Sequence, residues 1–111
     1  MQYPRRQSEF EIQAYLFSEL KAMGLDVRGE VRAGRESRFD LVVFEERVPK
    51  IIVEVKTRKL PKNPTTFRAK ERTRRREEQL SRYDKYGLPV HLIEGMRQAG
   101  EFIQRMKQGE G

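Results

Sequence analysis

Two short stretches decide the fold of this chain: RFDLVVF at residues 38–44 and IIVEVK at residues 51–56. Both are rich in Val, Ile and Phe, which favours β-strands. The residues between them, EERVPK at 45–50, are polar and few enough for a hairpin connection. The sequence therefore predicts two neighbouring antiparallel strands.

Charged side chains on these strands would meet. If the turn centres near Arg47, Asp40 lies opposite Glu54 on the neighbouring strand. Side chains alternate between the faces of a strand, so Lys56 shares a face with Glu54. Like charges that oppose each other across a sheet repel. The arrangement makes more sense if a divalent cation lies between Asp40 and Glu54.

Such a site has the parts for phosphodiester hydrolysis. Magnesium prefers oxygen ligands and keeps several waters, so one or two carboxylates can hold it, with Mn²⁺ as the alternative. A bound metal lowers the pKa of a water and neutralises a phosphate. Lys56 would orient the water, help to deprotonate it, or hold the scissile phosphate. The competing interpretation is an amphipathic hairpin whose charges face solvent, which leaves the opposed carboxylates unexplained.

Length and composition indicate one domain. The chain has 111 residues, 37% charged and 36% hydrophobic, which fits a single domain over residues 1–111 with a lean core. We expect loose termini at 1–7 and 108–111 and a basic loop at 57–66. The absence of cysteine excludes disulfides and zinc–thiolate sites. No apolar run long enough for a membrane span and no signal-peptide pattern is present, which favours a cytoplasmic location without a membrane partner.

The positive charge is concentrated in one segment. The chain carries a net charge of +7, and residues 56–86 contain 12 Lys or Arg against 4 Asp or Glu. A basic segment beside an otherwise near-neutral domain indicates a polyanionic partner. A solvated helix that happens to be Arg-rich is the alternative.

The pattern of caps and apolar positions predicts the element order α-β-β-β-α-β-α. Ser8 followed by Glu11 has the capping-box form, and Gly24 is a helix stop. Strands 1 to 3 should form an antiparallel meander, and strand 4 should run parallel to one of them after a right-handed helical crossover. Besides the two hairpin strands, the expected elements are a helix from Ser8 to about Met23, a strand over 25–31, a helix from Thr65 or Thr66 to Tyr83 or Asp84, a strand over 88–93 and a helix over 96–107.

The motif Arg38-Phe39-Asp40, thirteen residues, then Glu54-Val55-Lys56 resembles that of the PD-(D/E)XK nucleases. Phe39 stands where the motif's name has Pro, a position with no chemical role in metal binding. The predicted element order is similar to that superfamily's common core. The resemblance implies an α/β, restriction-endonuclease-like fold with a central mixed four-stranded sheet flanked by helices. It also implies the Val55 carbonyl as a third metal ligand.

The resemblance implies further site residues on two helices. Similar enzymes often add an acid from the first helix, for which Glu9 is favoured over Glu11 and Gln13 because Glu11 already has a capping role. Gln79 and Tyr83 match the Q-x-x-x-Y form of the RecB-like branch. Four residues apart, they share a helical face, where Gln79 would touch a phosphate or the surroundings of Lys56 and Tyr83 would pack over the site. The alternative is that Tyr83 belongs to the core and Gln79 is solvated.

Basic residues of the loop and the second helix are candidate nucleic-acid contacts. Phosphate contacts of this kind give salt-sensitive, sequence-tolerant binding. Together with Tyr83, the candidates are Arg58, Lys59, Lys62, Arg68, Lys70, Arg72, Arg74, Arg75 and Arg76.

The sequence thus favours a magnesium-dependent endodeoxyribonuclease that recognises DNA by shape or backbone, resolvase-, repair- or restriction-like, with RNA not excluded as substrate. One alternative is a non-catalytic nucleic-acid-binding module on the same fold. Another is an interaction domain whose basic helix docks an acidic protein. A homodimer would let a minimal nuclease reach two strands, and Phe102 and Met106 would serve either that dimer or the monomer's own core.

Overall fold

The computed structural model describes residues 8–35, 37–57, 60 and 62–109. The predicted order α-β-β-β-α-β-α is confirmed. In chain order, the elements are α1 (Glu9–Ala22), β1 (Asp26–Ala33), β2 (Ser37–Glu45), β3 (Val48–Lys56), α2 (Phe67–Tyr83), a short 3-10 helix (Asp84–Tyr86), β4 (Val90–Glu94) and α3 (Met96–Lys107).

The four strands form one mixed sheet in the order β1-β2-β3-β4. β1, β2 and β3 make the predicted antiparallel meander, and β4 runs parallel to β3. Because parallel neighbours cannot be joined by a hairpin, the chain between β3 and β4 crosses over through α2. This topology places β2 and β3, the two strands with the predicted site residues, in the centre of the sheet.

The helix boundaries follow their sequence signals. The Ser8 hydroxyl accepts the Glu11 backbone N–H at 3.1 Å and begins α1, and the Thr66 hydroxyl accepts the Ala69 N–H at 3.1 Å and begins α2. Gly87, with φ of 66°, ends the 3-10 helix in a left-handed conformation that favours glycine. The caps explain why the helix starts were predictable from the sequence.

The sheet separates two apolar clusters. On one face, α1 and α3 pack with residues such as Leu16 and Phe102 over Val53 and Val55. On the other face, α2 packs Tyr83 over Phe39, Val42 and Ile52. Phe102 is only 1% exposed, so of the two roles considered for it, the structure uses it in the chain's own core.

The β2–β3 hairpin is tighter than the sequence suggested. The strands continue to Glu45 and Val48, so only Glu46 and Arg47 form the loop, with φ of 51° and 69°. Two residues with positive φ make the type I′ turn that matches the twist of a hairpin. The expected six-residue connection is therefore mostly strand.

A β-bulge in this hairpin sets the register of the site. Next to the loop, Phe44 pairs with Pro49, and continuing that register would put Asp40 opposite Val53. A shift between Val43 and Phe44 instead pairs Leu41 with Val53, which aligns Asp40 with Glu54. A one-residue shift exchanges the faces of a strand. The bulge thus brings both carboxylates to the face covered by α2.

The other predicted strands moved by a few residues. β1 is Asp26–Ala33 rather than 25–31, and β4 is Val90–Glu94 rather than 88–93. None of the helices in the described part of the chain is long and apolar enough to cross a membrane. Of the loose termini expected at 1–7 and 108–111, residues 1–7 and 110–111 lie outside the described residues, and 108–109 form a turn after α3.

Candidate active site

Two hydrogen bonds between side chain and backbone join Asp40 to the neighbouring residues Glu54 and Val55. The Asp40 backbone N–H donates to Oε1 of Glu54 at 3.3 Å, and the Val55 N–H donates to Oδ2 of Asp40 at 2.8 Å. Toward β1, no pair forms between Glu30 and Asp40, although the residues on both sides of them are paired, and Glu30 has φ of 51°. Strand β2 is therefore irregular at Asp40, and the backbone N–H and the carboxylate of Asp40 form hydrogen bonds with β3.

Helix α2 holds the Glu54 carboxylate from the same face. The Tyr83 hydroxyl donates to Oε1 of Glu54 at 3.0 Å, and Nε2 of Gln79 donates to Oε2 at 3.2 Å. Gln79 also donates to the Tyr83 hydroxyl at 3.1 Å. Glu54 is 1% exposed and Tyr83 2%. Gln79 and Tyr83 therefore act on the acid, and the Tyr83 ring lies in the core rather than open to a nucleic acid.

Burial next to a second carboxylate perturbs Glu54. Its pKa is raised to about 7, first because burial disfavours the charged form and next because of the charge of Asp40. The hydrogen bonds from Tyr83 and from the Asp40 N–H, and the charge of Lys56, act in the opposite direction. Burial and the Glu54 charge raise the pKa of Tyr83 well above its usual value, so its hydroxyl remains a donor at neutral pH.

Lys56 lies beside this pair at the end of β3. It is partly buried, and its charge acts on Glu54. Glu94 is its register partner on β4, but Glu94 pairs with Arg76 of α2 at 2.6 Å. Among the described residues Lys56 has no ion-pair partner. Its ammonium group is thus available to an anionic substrate.

The donor set at this site suits a hard divalent cation. No group of three or more His, Cys, Asp or Glu side chains that could hold a metal occurs among the described residues. The oxygens at hand are those of the two carboxylates, and Oδ1 of Asp40 has no hydrogen bond within the described part of the chain. The Val55 carbonyl as a third ligand stays a prediction. The two carboxyl groups lie close together, and the pKa of Glu54 is raised. A cation bound between them would reduce their electrostatic repulsion. Magnesium is commonly held by one or two carboxylates plus waters. Asp40 and Glu54 therefore fit a magnesium ion.

The predicted first-helix acid is not among these contacts. Glu9 is exposed in the first turn of α1, and α1 packs on the sheet face opposite to α2. Glu11 donates its backbone N–H to the Ser8 cap. A role for Glu9 or Gln13 in the site stays a prediction.

The basic residues of α2 fall into two groups. Arg74 pairs with Glu71 and Glu78, and Arg76 with Glu94. Arg68, Lys70 and Arg72 are exposed and form no ion pair with a described residue, while exposed Arg75 helps to lower the pKa of Glu71. Lys62 is exposed, whereas Arg58 and Lys59 lie outside the described residues.

Sequence reasoning overlooked Phe67 and Glu94. Phe67 is 80% exposed and lines a cleft of about 260 Å³ with Arg68, Arg72 and Arg75. The sequence did indicate that Phe67 is exposed. Its neighbours on the helix, at positions 70 and 71, are Lys and Glu, so it has no apolar partner there. The pairing of Glu94 with Arg76 had no sequence signal, since it depends on how α2 crosses β4.

The mixed four-stranded sheet has helices on both faces and carries acids and a lysine on its central strands, which is consistent with a nuclease fold. The chain is similar to a solved structure of a VRR_NUC domain, a nuclease domain of the PD-(D/E)XK type. The two are 26% identical, with a TM-score of 0.52, over 86% of this chain and 94% of that one. No protein-family model and no curated protein matches the chain. The similarity agrees with the superfamily inferred from the motif and supports a nuclease-like function.

Proposed function

We propose that this chain is a metal-dependent endonuclease that hydrolyses phosphodiester bonds in DNA. The observation that carries the proposal is the pair Asp40 and Glu54, held together by hydrogen bonds to the backbone of β2 and β3, beside Lys56, which has no ion-pair partner among the described residues. The nuclease-like fold and the similarity to a VRR_NUC domain support it.

The carboxylates of Asp40 and Glu54 and the Val55 carbonyl would hold Mg²⁺ or Mn²⁺. The metal would supply Lewis-acid activation of water and neutralise charge on the phosphate. Glu54 must be ionised to serve, and the hydrogen bonds from Tyr83 and Gln79 favour that form.

Lys56 would contact the scissile phosphate or the attacking water. An ammonium group near the reacting phosphate stabilises the negative charge that develops in the transition state. Because Lys56 has no acid partner among the described residues, it needs no ion pair to break before it binds an anion.

The exposed basic side chains of α2 that form no ion pair with a described residue would hold the flanking DNA backbone. Arg68, Lys70 and Arg72 supply sequence-independent phosphate contacts. Direct reading of bases would need side chains fitted to a groove, so the proposal is recognition of DNA shape or backbone. A homodimer, a cytoplasmic setting and RNA as an additional substrate remain parts of the hypothesis to be tested.

The test is cleavage of linear, flapped and four-way DNA with Mg²⁺ or Mn²⁺, and with a chelator in place of metal. Wild type should cleave DNA only when the metal is present. The cleavage rates of Glu54→Gln and Lys56→Ala should be lower by at least about 100-fold. Glu101→Gln and Lys107→Ala, the same changes at exposed positions of α3, are the matched controls.

Equal cleavage by wild type and both site variants would point to a contaminant and overturn the proposal. DNA binding without cleavage under any metal would favour the non-catalytic binding module.

A further inference from the structure

The end of the β1–β2 hairpin gathers positive charge. Arg32 on β1 pairs directly with Arg38 on β2, and Arg35 lies in the turn between them. Like charges directly opposite each other in an antiparallel pair destabilise it. All three side chains are exposed, and none forms an ion pair with a described residue. The chain thus keeps an unfavourable charge arrangement at this point.

The same arginines line a small polar cleft. It has a volume of about 230 Å³ and is completed by Gly34 and Ser37. Ser37 is 6% exposed, and its hydroxyl is buried without a hydrogen-bond partner among the described residues. A buried polar group left without a partner is uncommon and unfavourable. The register pairs Ser37 with Ala33, on the face of Phe39, whereas Arg32 and Arg38 lie on the other face, so the arginines form the open part of the cleft.

This cleft lies close to the candidate active site. Arg38 precedes Asp40 by two residues on β2, about 7 Å along the strand. The Arg38 carbonyl also accepts a hydrogen bond from the Tyr83 hydroxyl at 3.2 Å, so the hairpin end is tied to the helix that supports Glu54.

We propose that this cleft binds a phosphate group of the DNA backbone near the scissile phosphate; the identity of the ligand rests on the proposed function. Arginine is suited to phosphate because its planar fork can donate two parallel hydrogen bonds. An anion between Arg32 and Arg38 converts their repulsion into attraction for a shared partner.

The first test measures DNA binding without hydrolysis, in chelator, across a range of salt concentrations. The double variant Arg32→Gln with Arg38→Gln should bind about tenfold more weakly at low salt, and the log–log salt dependence should become shallower by about 1. Arg97→Gln with Arg105→Gln on α3, which packs on the sheet face away from α2, is the matched control and should bind as wild type. Equal effects of the two double variants would overturn the proposal.

The second test uses the free protein and inorganic phosphate, with chloride at equal ionic strength as reference. Phosphate should raise the Tm of wild type, and Arg38→Gln should start from a higher Tm and respond less. An Arg38→Gln variant whose Tm rises with phosphate as much as that of wild type would contradict the proposal.

Two further arms identify the ligand. Oligonucleotides with a 5′-phosphate and with a 5′-hydroxyl distinguish a terminal from an internal phosphate, since only terminal recognition makes the arginine effect depend on the 5′ group. If the protein binds DNA through Arg32 and Arg38 but does not cleave it, the proposed hydrolysis is contradicted and the phosphate site is supported. If the protein cleaves DNA but its binding does not depend on Arg32 and Arg38, the phosphate site is contradicted and the proposed hydrolysis is supported.

Discussion

The Tyr83 hydroxyl lies 3.0 Å from Oε1 of Glu54, a residue 29 positions earlier in the chain, and donates a hydrogen bond to it. The same hydroxyl lies 3.2 Å from the Arg38 carbonyl, so its single proton can serve either acceptor. This contact couples α2 to the central strands. It makes the charge on Glu54 depend on a buried side chain of α2.

Tyr83→Phe should therefore raise the pKa of Glu54 above its value of about 7, because the hydrogen bond from Tyr83 lowers that pKa. Metal affinity at pH 7 should fall about tenfold, as expected for loss of a hydrogen bond to a charged group. Measurement of metal binding and cleavage against pH checks this: the loss should shrink as pH rises. Tyr86→Phe removes a hydrogen bond to the Ala33 carbonyl at 3.1 Å and is the control. It should not change how metal binding and cleavage depend on pH. A loss that is the same at every pH would contradict the prediction.

Stability of the metal-free protein should depend on pH through Glu54. Its pKa is about 7 in the folded state against 4.5 for an unperturbed glutamate, so the folded state binds the proton more tightly. This contribution is fully present below about pH 4.5 and is lost as pH rises through 7, on the order of 3 kcal/mol in all. Urea unfolding of wild type and Glu54→Gln from pH 5 to 8 checks it, since the variant should lack this loss. Mg²⁺ at pH 8 should stabilise wild type more than the variant. A wild type and variant with parallel pH profiles would show that Glu54 is not the group responsible.

The ion pair between Arg76 and Glu94 should hold α2 against β4. Its side chains are 15% and 16% exposed, so removal of one partner leaves a largely buried charge. Arg76→Met or Glu94→Gln should destabilise the protein by about 2 kcal/mol, and changing both together should cost less than the two losses added. Chemical denaturation of the single and double variants measures this. The exposed pair Arg97 and Glu101 is the control, and its removal should change stability little. Strictly additive losses at Arg76 and Glu94 would mean that the two residues do not interact.

Glycine at position 47, in the β2–β3 turn, should stabilise the protein. Arg47 has φ of 69°, a conformation that is unfavourable by about 1 kcal/mol for a residue with a Cβ atom. Arg47→Gly should raise the free energy of unfolding by about 0.5–1 kcal/mol. Arg72→Gly, at an exposed position inside α2, should lower it by about 1 kcal/mol. Thermal unfolding of the two variants checks the opposite signs, and destabilisation by both would contradict the turn assignment.

Sequence patterns were sufficient for the elements and for the acids on them. Val, Ile and Phe marked β2 and β3, and hydroxyl caps marked the starts of α1 and α2, because these signals act between residues close in the chain. Alternation along a strand also placed Glu54 and Lys56 on one face. The resemblance to PD-(D/E)XK nucleases added Gln79 and Tyr83, which the structure brings to Glu54.

Tertiary structure alone decided how these parts meet. The loop of the β2–β3 hairpin has two residues, and the bulge at Val43 and Phe44 corrects the register so that Asp40 reaches Glu54. Whether a strand accepts an extra residue depends on packing against both faces of the sheet, which the local sequence does not report. The same holds for the arginines of α2, whose partners depend on the path of the helix: Arg76 reaches Glu94, whereas Arg72 remains exposed. Sequence thus determined which side chains were present and on which element, and the three-dimensional packing determined which of them were left to act on a substrate.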